Sequence, residues 1–271
     1  MEFRSFLRNM MPRNGKTRNT KIGLALGGGG ARGFAHLGVI QALKEKNIEP
    51  DIIAGTSAGS MVGAFIASGK EPGEVLDLLK DKDLFGYSKI QWPKEGLFSL
   101  DGLGKILKKE IEGKNIEDQK TPLIITVSNL NKGKTEYLRT GNLVNAVLAS
   151  SSIPFVFKPV EIDGNKYADG GIMDNLPVKP LMEECDKVIA ISISPIKETN
   201  DLDNLIKIAS RTFQLSVNAQ NNELQKKCTL FIEPEGIRTF DLFDVKQADE
   251  LFQLGYDYVK GISNVDLKKL N

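Results

Sequence analysis

Histidine is almost missing from this chain: His36 is the only one in 271 residues. A Ser-His-Asp arrangement needs an imidazole that follows its serine in a fixed order, so most serine-hydrolase chemistry is narrowed at once. Cysteine is nearly as scarce. Cys185 and Cys228 form neither a zinc-type nor a redox-type pair, and two unbridged thiols in a reducing compartment is the simplest reading. Charge of either sign is not in excess. A net charge of +1 gives no argument for a nucleic-acid partner. No apolar run approaches the roughly 20 residues of a membrane span, and the N-terminus lacks the unbroken apolar segment of a secretory signal. The expectation is a cytoplasmic protein. Repeats and low-complexity stretches are missing too. At 41% hydrophobic and 26% charged residues, the chain reads as one ordinary globular domain with a full core.

What is present begins with a basic leader. Arg4, Arg8, Arg13, Lys16, Arg18 and Lys21 face a single acid, Glu2. Phe3, Phe6, Leu7, Met10 and Met11 follow the spacing of one helical face, a pattern suited to peripheral contact with an anionic membrane. A disordered leader fits the composition equally. The expected organisation is a leader at 1–20, one domain at 21–262 and a tail at 263–271.

From Lys21 onward, short apolar runs alternate with amphipathic segments, which predicts β-α-β units and a mostly parallel sheet. Strands are expected at 21–27, 51–55, 122–130, 187–194 and 229–233. Asn131-Lys132-Gly133 turns the chain into a strand at 135–139, and a hairpin at 161–167 bends at Asp163-Gly164. Helices are expected from the glycine loop to 46, over 57–68 with Gly69 ending it, from Pro72, over 101–112, 142–152, 201–227 and 245–260. The stretch at 85–98 is irregular and aromatic, a lid or a loop pinned by ordinary burial.

Gly55-Thr56-Ser57-Ala58-Gly59 is the first motif with chemistry. A serine on a sharp strand-to-helix turn is strained and crowded, so the residues two away on either side must lack side chains. The helix that follows aims its N-terminal N–H groups at the serine, where acyl transfer develops negative charge. His36 precedes Ser57 and reads as a hydrogen-bonded structural histidine. The base must then be another group. Asp169, followed by Gly170 and Gly171, is the candidate, a carboxylate able to accept the serine proton if burial raises its proton affinity. By spacing alone Asp-Gly-Gly is also an ordinary turn.

The run from Gly27 through Gly28, Gly29, Gly30, Ala31 and Arg32 to Gly33 follows a strand and opens a helix. A dinucleotide site would need an acid at the end of the second strand, and Asp51 stands at its start. A Walker A loop would need Lys and Ser or Thr after the last glycine, where Phe34 and Ala35 stand. The remaining use of such a run is anion binding beside Ser57, an oxyanion hole. Arg32 would steady the loop or attract an anionic head group.

These motifs, in this order, resemble the patatin-like phospholipase family, with further echoes in Ala149–Pro154, Gly96–Ser99 and Glu233-Pro234. The resemblance covers about 21–262, and the catalytic motifs depart from the family pattern nowhere. It implies an α/β fold, a three-layer α/β/α sandwich with a central mostly parallel sheet, and a Ser57–Asp169 dyad. It also implies an oxyanion hole around Gly28, Gly29, Gly30 and Arg32, with Gly33, Gly55, Gly59, Gly170 and Gly171 as motif glycines. The implied activity is hydrolysis of lipid acyl esters through an acyl-enzyme, with no metal or other cofactor. A non-catalytic member that binds lipid or a protein is the alternative. Head group, chain length and oligomeric state leave no mark in the sequence.

Overall fold

A computed structural model describes residues 20–80, 100–196, 198–200, 202–203, 205–218, 221–242, 245–267 and 270. The leader up to residue 19 and the aromatic stretch at 85–98 lie outside the described residues.

Eight strands form one sheet: β1 (Ile22–Leu26), β2 (Ile52–Thr56), β3 (Leu123–Asn129), β4 (Lys134–Leu138), β5 (Val160–Ile162), β6 (Asn165–Asp169), β7 (Lys187–Ile191) and β8 (Leu230–Ile232). Every residue of β1, β2 and β3 is buried. Their unbroken apolar runs are what a sheet covered on both faces requires. β1 pairs in parallel with β2 and β7, β2 with β3, and β7 with β8. β3, β4, β5 and β6 pair antiparallel among themselves.

The register around β3 decides where the site falls. β4 pairs along β3 from Ile125 to Asn129. Strand β2 takes Leu123 to Thr126, and β6 takes Val127 to Asn129. A strand has only two hydrogen-bonding edges, so β2 and β6 must share the one that β4 leaves open. They run in opposite directions and meet end to end. Thr56 sits opposite Thr126, and Asp169 opposite Val127.

On one face lie α1 (Phe34–Glu45), α2 (Ala58–Ser68), α3 (Pro72–Leu79), α4 (Asp101–Glu110) and α5 (Leu143–Ser150), with α9 (Ala248–Gly261) against α1. A smaller core on the other face gathers Leu176, Val178 and Leu181 under α6 (Lys179–Met182). The helix expected over 201–227 is two, α7 (Leu205–Asn218) and α8 (Asn221–Gln225). Asparagine favours caps and turns over helix interiors, and Asn218, Asn221 and Asn222 stand at the break. Strand β7, between β1 and β8, ends at Ile191 rather than 194. Residues of the expected tail form α10 (Asn264–Leu267), and Leu267 and Leu270 join the core. Gly69 ends α2 in the left-handed region, with φ 95°, and Asp163 and Gly164 turn the β5–β6 hairpin with φ 48° and 75°, as expected. Among the described residues no helix is long and apolar enough to cross a membrane.

Helices α1 and α9 touch backbone to backbone. A Cβ on Gly38 would stand 1.9 Å from the Phe252 carbonyl oxygen, and one on Gly255 2.2 Å from that of Ala35. Gly38→Ala is therefore expected to cost about 1–3 kcal/mol through forced separation of the helices. Gly73→Ala, in α3 with nothing within 4 Å of its Cβ position, should be neutral or gain up to about 1 kcal/mol. Urea unfolding midpoints compare them, and equal midpoints would remove the α1–α9 contact as a constraint.

Candidate active site

Ser57 stands where β2 stops and α2 starts, with φ 53° and ψ −122°. A non-glycine residue there is strained, which is the condition expected of a serine on a sharp strand-to-helix turn; Ser57 itself is buried. The flanking glycines are required by contact. A Cβ on Gly59 would lie 2.1 Å from the Leu26 carbonyl oxygen, and one on Gly55 2.4 Å from that of Gly59.

Asp169 ends β6 and is 1% exposed. Its Oδ1 accepts the Gly171 N–H at 2.7 Å. Oδ2 is sealed from solvent and completes no hydrogen bond among the described residues. Burial pushes the carboxyl up to about 7, and the nearby Ser57 hydroxyl and the Gly171 N–H pull the other way. Gly170 is pressed on the Thr126 carbonyl, 2.3 Å from where its Cβ would stand. The serine and the aspartate are thus brought together, with an unmatched carboxylate oxygen beside the hydroxyl.

The glycine loop packs on the nucleophile turn. A Cβ on Gly28 would sit 3.1 Å from the Ser57 Cβ, and one on Gly33 3.0 Å from the Ala58 Cβ. The N–H groups from Gly28 to Ala31 are not equivalent. Gly28 donates to the Asn175 carbonyl at 3.1 Å, and Ala31 to the Leu242 carbonyl at 2.7 Å. The N–H groups of Gly29 and Gly30 meet no acceptor among the described residues. Among the described residues Gly29 and Gly30 thus keep their donors unused, while the Gly28 N–H is already engaged. The Arg32 guanidinium is engaged as well. It donates to the Phe240 carbonyl at 2.8 and 3.0 Å and to the Arg238 carbonyl at 3.3 Å. Of the two roles expected for Arg32, steadying the loop is the one its contacts perform; burial lowers its pKa, and Asp241 offsets part of that.

His36 is fully buried, and its Nε2 lies 2.8 Å from the Gly27 carbonyl oxygen. Burial drives it down to about 4, so at neutral pH the ring is uncharged and its Nε2–H donates to that carbonyl. It holds the loop from behind. Cys185 and Cys228 are separate free thiols.

Three supports were not legible in the motifs. Ser150 accepts the Ser57 N–H at 2.9 Å and donates to the Thr126 carbonyl at 2.7 Å. The Ser152 carbonyl accepts the Asp169 N–H at 2.9 Å. Asn175 joins the Asp-Gly-Gly turn to the glycine loop through its backbone carbonyl and an Nδ2 contact of 3.4 Å to the Gly28 carbonyl oxygen. Ser150 and Ser152 lie inside the Ala149–Pro154 echo, which assigns neither a role, and Asn175 leaves no trace in the sequence.

The fold is a three-layer α/β/α sandwich on a mostly parallel sheet, the class to which acyl hydrolases with a serine at a strand-to-helix turn belong. A family model described as patatin-like phospholipase matches residues 24–182, and the chain belongs to that family. Over 177 residues it is 34% identical to an uncharacterized NTE family protein of Mycobacterium bovis, covering 64% of this chain and 49% of that one. It is 28% identical over 270 residues to the lysophospholipase NTE1 of Kluyveromyces lactis, covering 88% of this chain and 19% of that protein. The chain thus spans about half the length of the mycobacterial relative and a fifth of the fungal one. VipD of Legionella pneumophila shares the fold with a TM-score of 0.55 at 16% identity, over 98% of this chain and 72% of that one.

Strain and burial each make a prediction. Ser57→Gly should be more stable than Ser57→Ala by about 1 kcal/mol, because only glycine relaxes at this φ; thermal unfolding checks it. Asp169 holds its proton in the native state up to about pH 7, whereas the unfolded chain releases it near its ordinary value of 3.8. Stability from the neutral carboxyl is complete at low pH and lost as pH rises through about 7. Asp169→Asn should therefore gain more over the wild type at pH 8 than at pH 5, and a gain independent of pH would contradict the assignment.

Proposed function

We propose that this protein is a serine acyl hydrolase acting on lipid esters, a phospholipase A, lysophospholipase or esterase. The observation that carries the reading is the unmatched, buried Asp169 carboxylate oxygen beside the strained Ser57. In this reading the Ser57 Oγ attacks the ester carbonyl carbon as its proton passes to Asp169. The tetrahedral oxyanion is held by the N–H groups of Gly29 and Gly30, with the α2 N-terminus adding its positive end. Collapse breaks the ester C–O bond, Asp169 returns the proton to the leaving alcohol, and the acyl group stays on Ser57. Water then gives up a proton to Asp169 and attacks the acyl-enzyme carbonyl; collapse breaks the bond to Ser57 Oγ, Asp169 returns the proton to that oxygen, and the carboxylic acid is released.

Burial is what equips a carboxylate for this work. An aspartate at its ordinary pKa is a poor base at neutral pH, and one pushed to about 7 is matched to it. Phe155, 76% exposed, and the exposed Met173 flank the aspartate turn, which favours a substrate presented at a lipid surface. The lysophospholipase name of the fungal relative agrees with that substrate class. Peripheral membrane contact through the basic leader belongs to the same proposal.

The test is a fluorophosphonate probe together with ester hydrolysis. The probe should label the wild type and not Ser57→Ala, and labelling that survives Ser57→Ala would sink the assignment. kcat/KM should climb about tenfold per pH unit below about 7 and level off above it, the limb expected of a base that works deprotonated. Asp169→Asn should lose activity by about two orders of magnitude or more while remaining folded.

A further inference from the structure

The nucleophile turn has a holder. The left-handed φ of Ser57 turns its backbone N–H into the protein, where an unpaired donor is costly. That N–H finds the Ser150 Oγ at 2.9 Å. Ser150 is completely buried, and its own proton is committed to the Thr126 carbonyl at 2.7 Å. A hydroxyl has one proton to give, so this commitment leaves the Ser150 oxygen facing Ser57 purely as an acceptor.

The carbonyl at the far end of the relay matters equally. Thr126 pairs with Thr56 in the sheet, and Gly170 is pressed against the same Thr126 carbonyl oxygen. Its neighbour Val127 pairs with Asp169. The chain from the Ser57 N–H through the Ser150 Oγ to the Thr126 carbonyl therefore ties the nucleophile turn to β3, the strand against which Asp169 is paired. We infer that Ser150 is a positioning residue of the proposed reaction: it holds the strained turn so that the Ser57 hydroxyl faces Asp169. This rests on the hydrolase reading above. The adjacent serines do not share the role. The Ser152 hydroxyl donates to the Leu148 carbonyl at 2.7 Å within its own helix end, and only its backbone touches Asp169.

Removing the Ser150 oxygen leaves Ser57 chemically intact and its mount loose. A displacement of about 1 Å in a reacting group costs on the order of a hundredfold in rate. Ser150→Ala should therefore lower kcat on a short-chain p-nitrophenyl ester by ten- to a hundredfold (about the range expected of such misplacement), with KM changed by less than about threefold. Fluorophosphonate labelling should slow in proportion. The pH at which kcat/KM reaches half its plateau should stay at the wild-type value, because Asp169 is untouched. Ser150→Thr, which restores the hydroxyl, should recover most of the loss. Ser152→Ala, equally buried, should keep its rate within about threefold even if it melts earlier. Should Ser150→Ala fail to fold, Ser150→Cys carries the same test, since sulfur fits the site and accepts weakly. Wild-type rates in Ser150→Ala, or equal losses in Ser150→Ala and Ser152→Ala, would overturn the inference. Absence of labelling at Ser57 in the wild type would instead overturn the hydrolase reading, and the role of Ser150 with it.

Discussion

One edge of β3 is shared by two strands that arrive from opposite directions, and the site follows from that arrangement. A parallel strand delivers a turn and a helix beyond its end, which is what Ser57 requires. An antiparallel strand delivers its last residue against the same end, which is what Asp169 requires. Neither strand alone makes a pair. Because β4 occupies the other edge of β3 throughout the shared region, the two ends have nowhere to go but toward each other. The serines at the end of α5 then fill the junction, one on each side of it.

Burial sets the chemistry of the junction by acting in opposite senses on two groups. Taking a carboxyl out of water favours its neutral form and raises Asp169 from 3.8 to about 7. Taking an imidazole out of water also favours its neutral form, and lowers His36 from 6.5 to about 4. The carboxylate is moved into the range an imidazole normally occupies, and the imidazole is moved out of it. A chain with a single histidine thus holds a carboxyl that titrates near neutral pH, while the histidine serves as a hydrogen-bond donor to the loop backbone. The exchange needs no unusual residue, only the same desolvation applied to an acid and to a base.

Local pattern carried much of this. Strand and helix alternation, the hairpin at Asp163-Gly164 and the glycine that ends α2 depend on neighbouring residues, and they stand where the sequence puts them. So do the three motifs. Pairing across the sheet depends on residues far apart, and there the sequence was silent. Nothing near Asp169 says that its strand runs antiparallel to β3 and ends against β2. Nothing near Gly28 says that its N–H is taken by Asn175. The polar helix at 201–227 looked continuous because its composition is uniform, although its asparagines are poor company for a helix interior. Ser150 was visible only as one serine among three, and choosing among them needs the direction of each side chain.

The glycine loop is braced by residues that follow it by two hundred positions. The Arg32 guanidinium reaches the Phe240 carbonyl, the Ala31 N–H reaches that of Leu242, and Gly38 lies against Phe252. The stretch matched to the family, 24–182, contains the serine, the aspartate and the loop, and none of these braces. During synthesis on the ribosome, Ser57 and Asp169 are both translated long before the segment that fixes the loop. A nascent chain therefore holds Ser57 and Asp169 before its glycine loop is braced, and the segment from Arg238 to Phe252 supplies that support from behind.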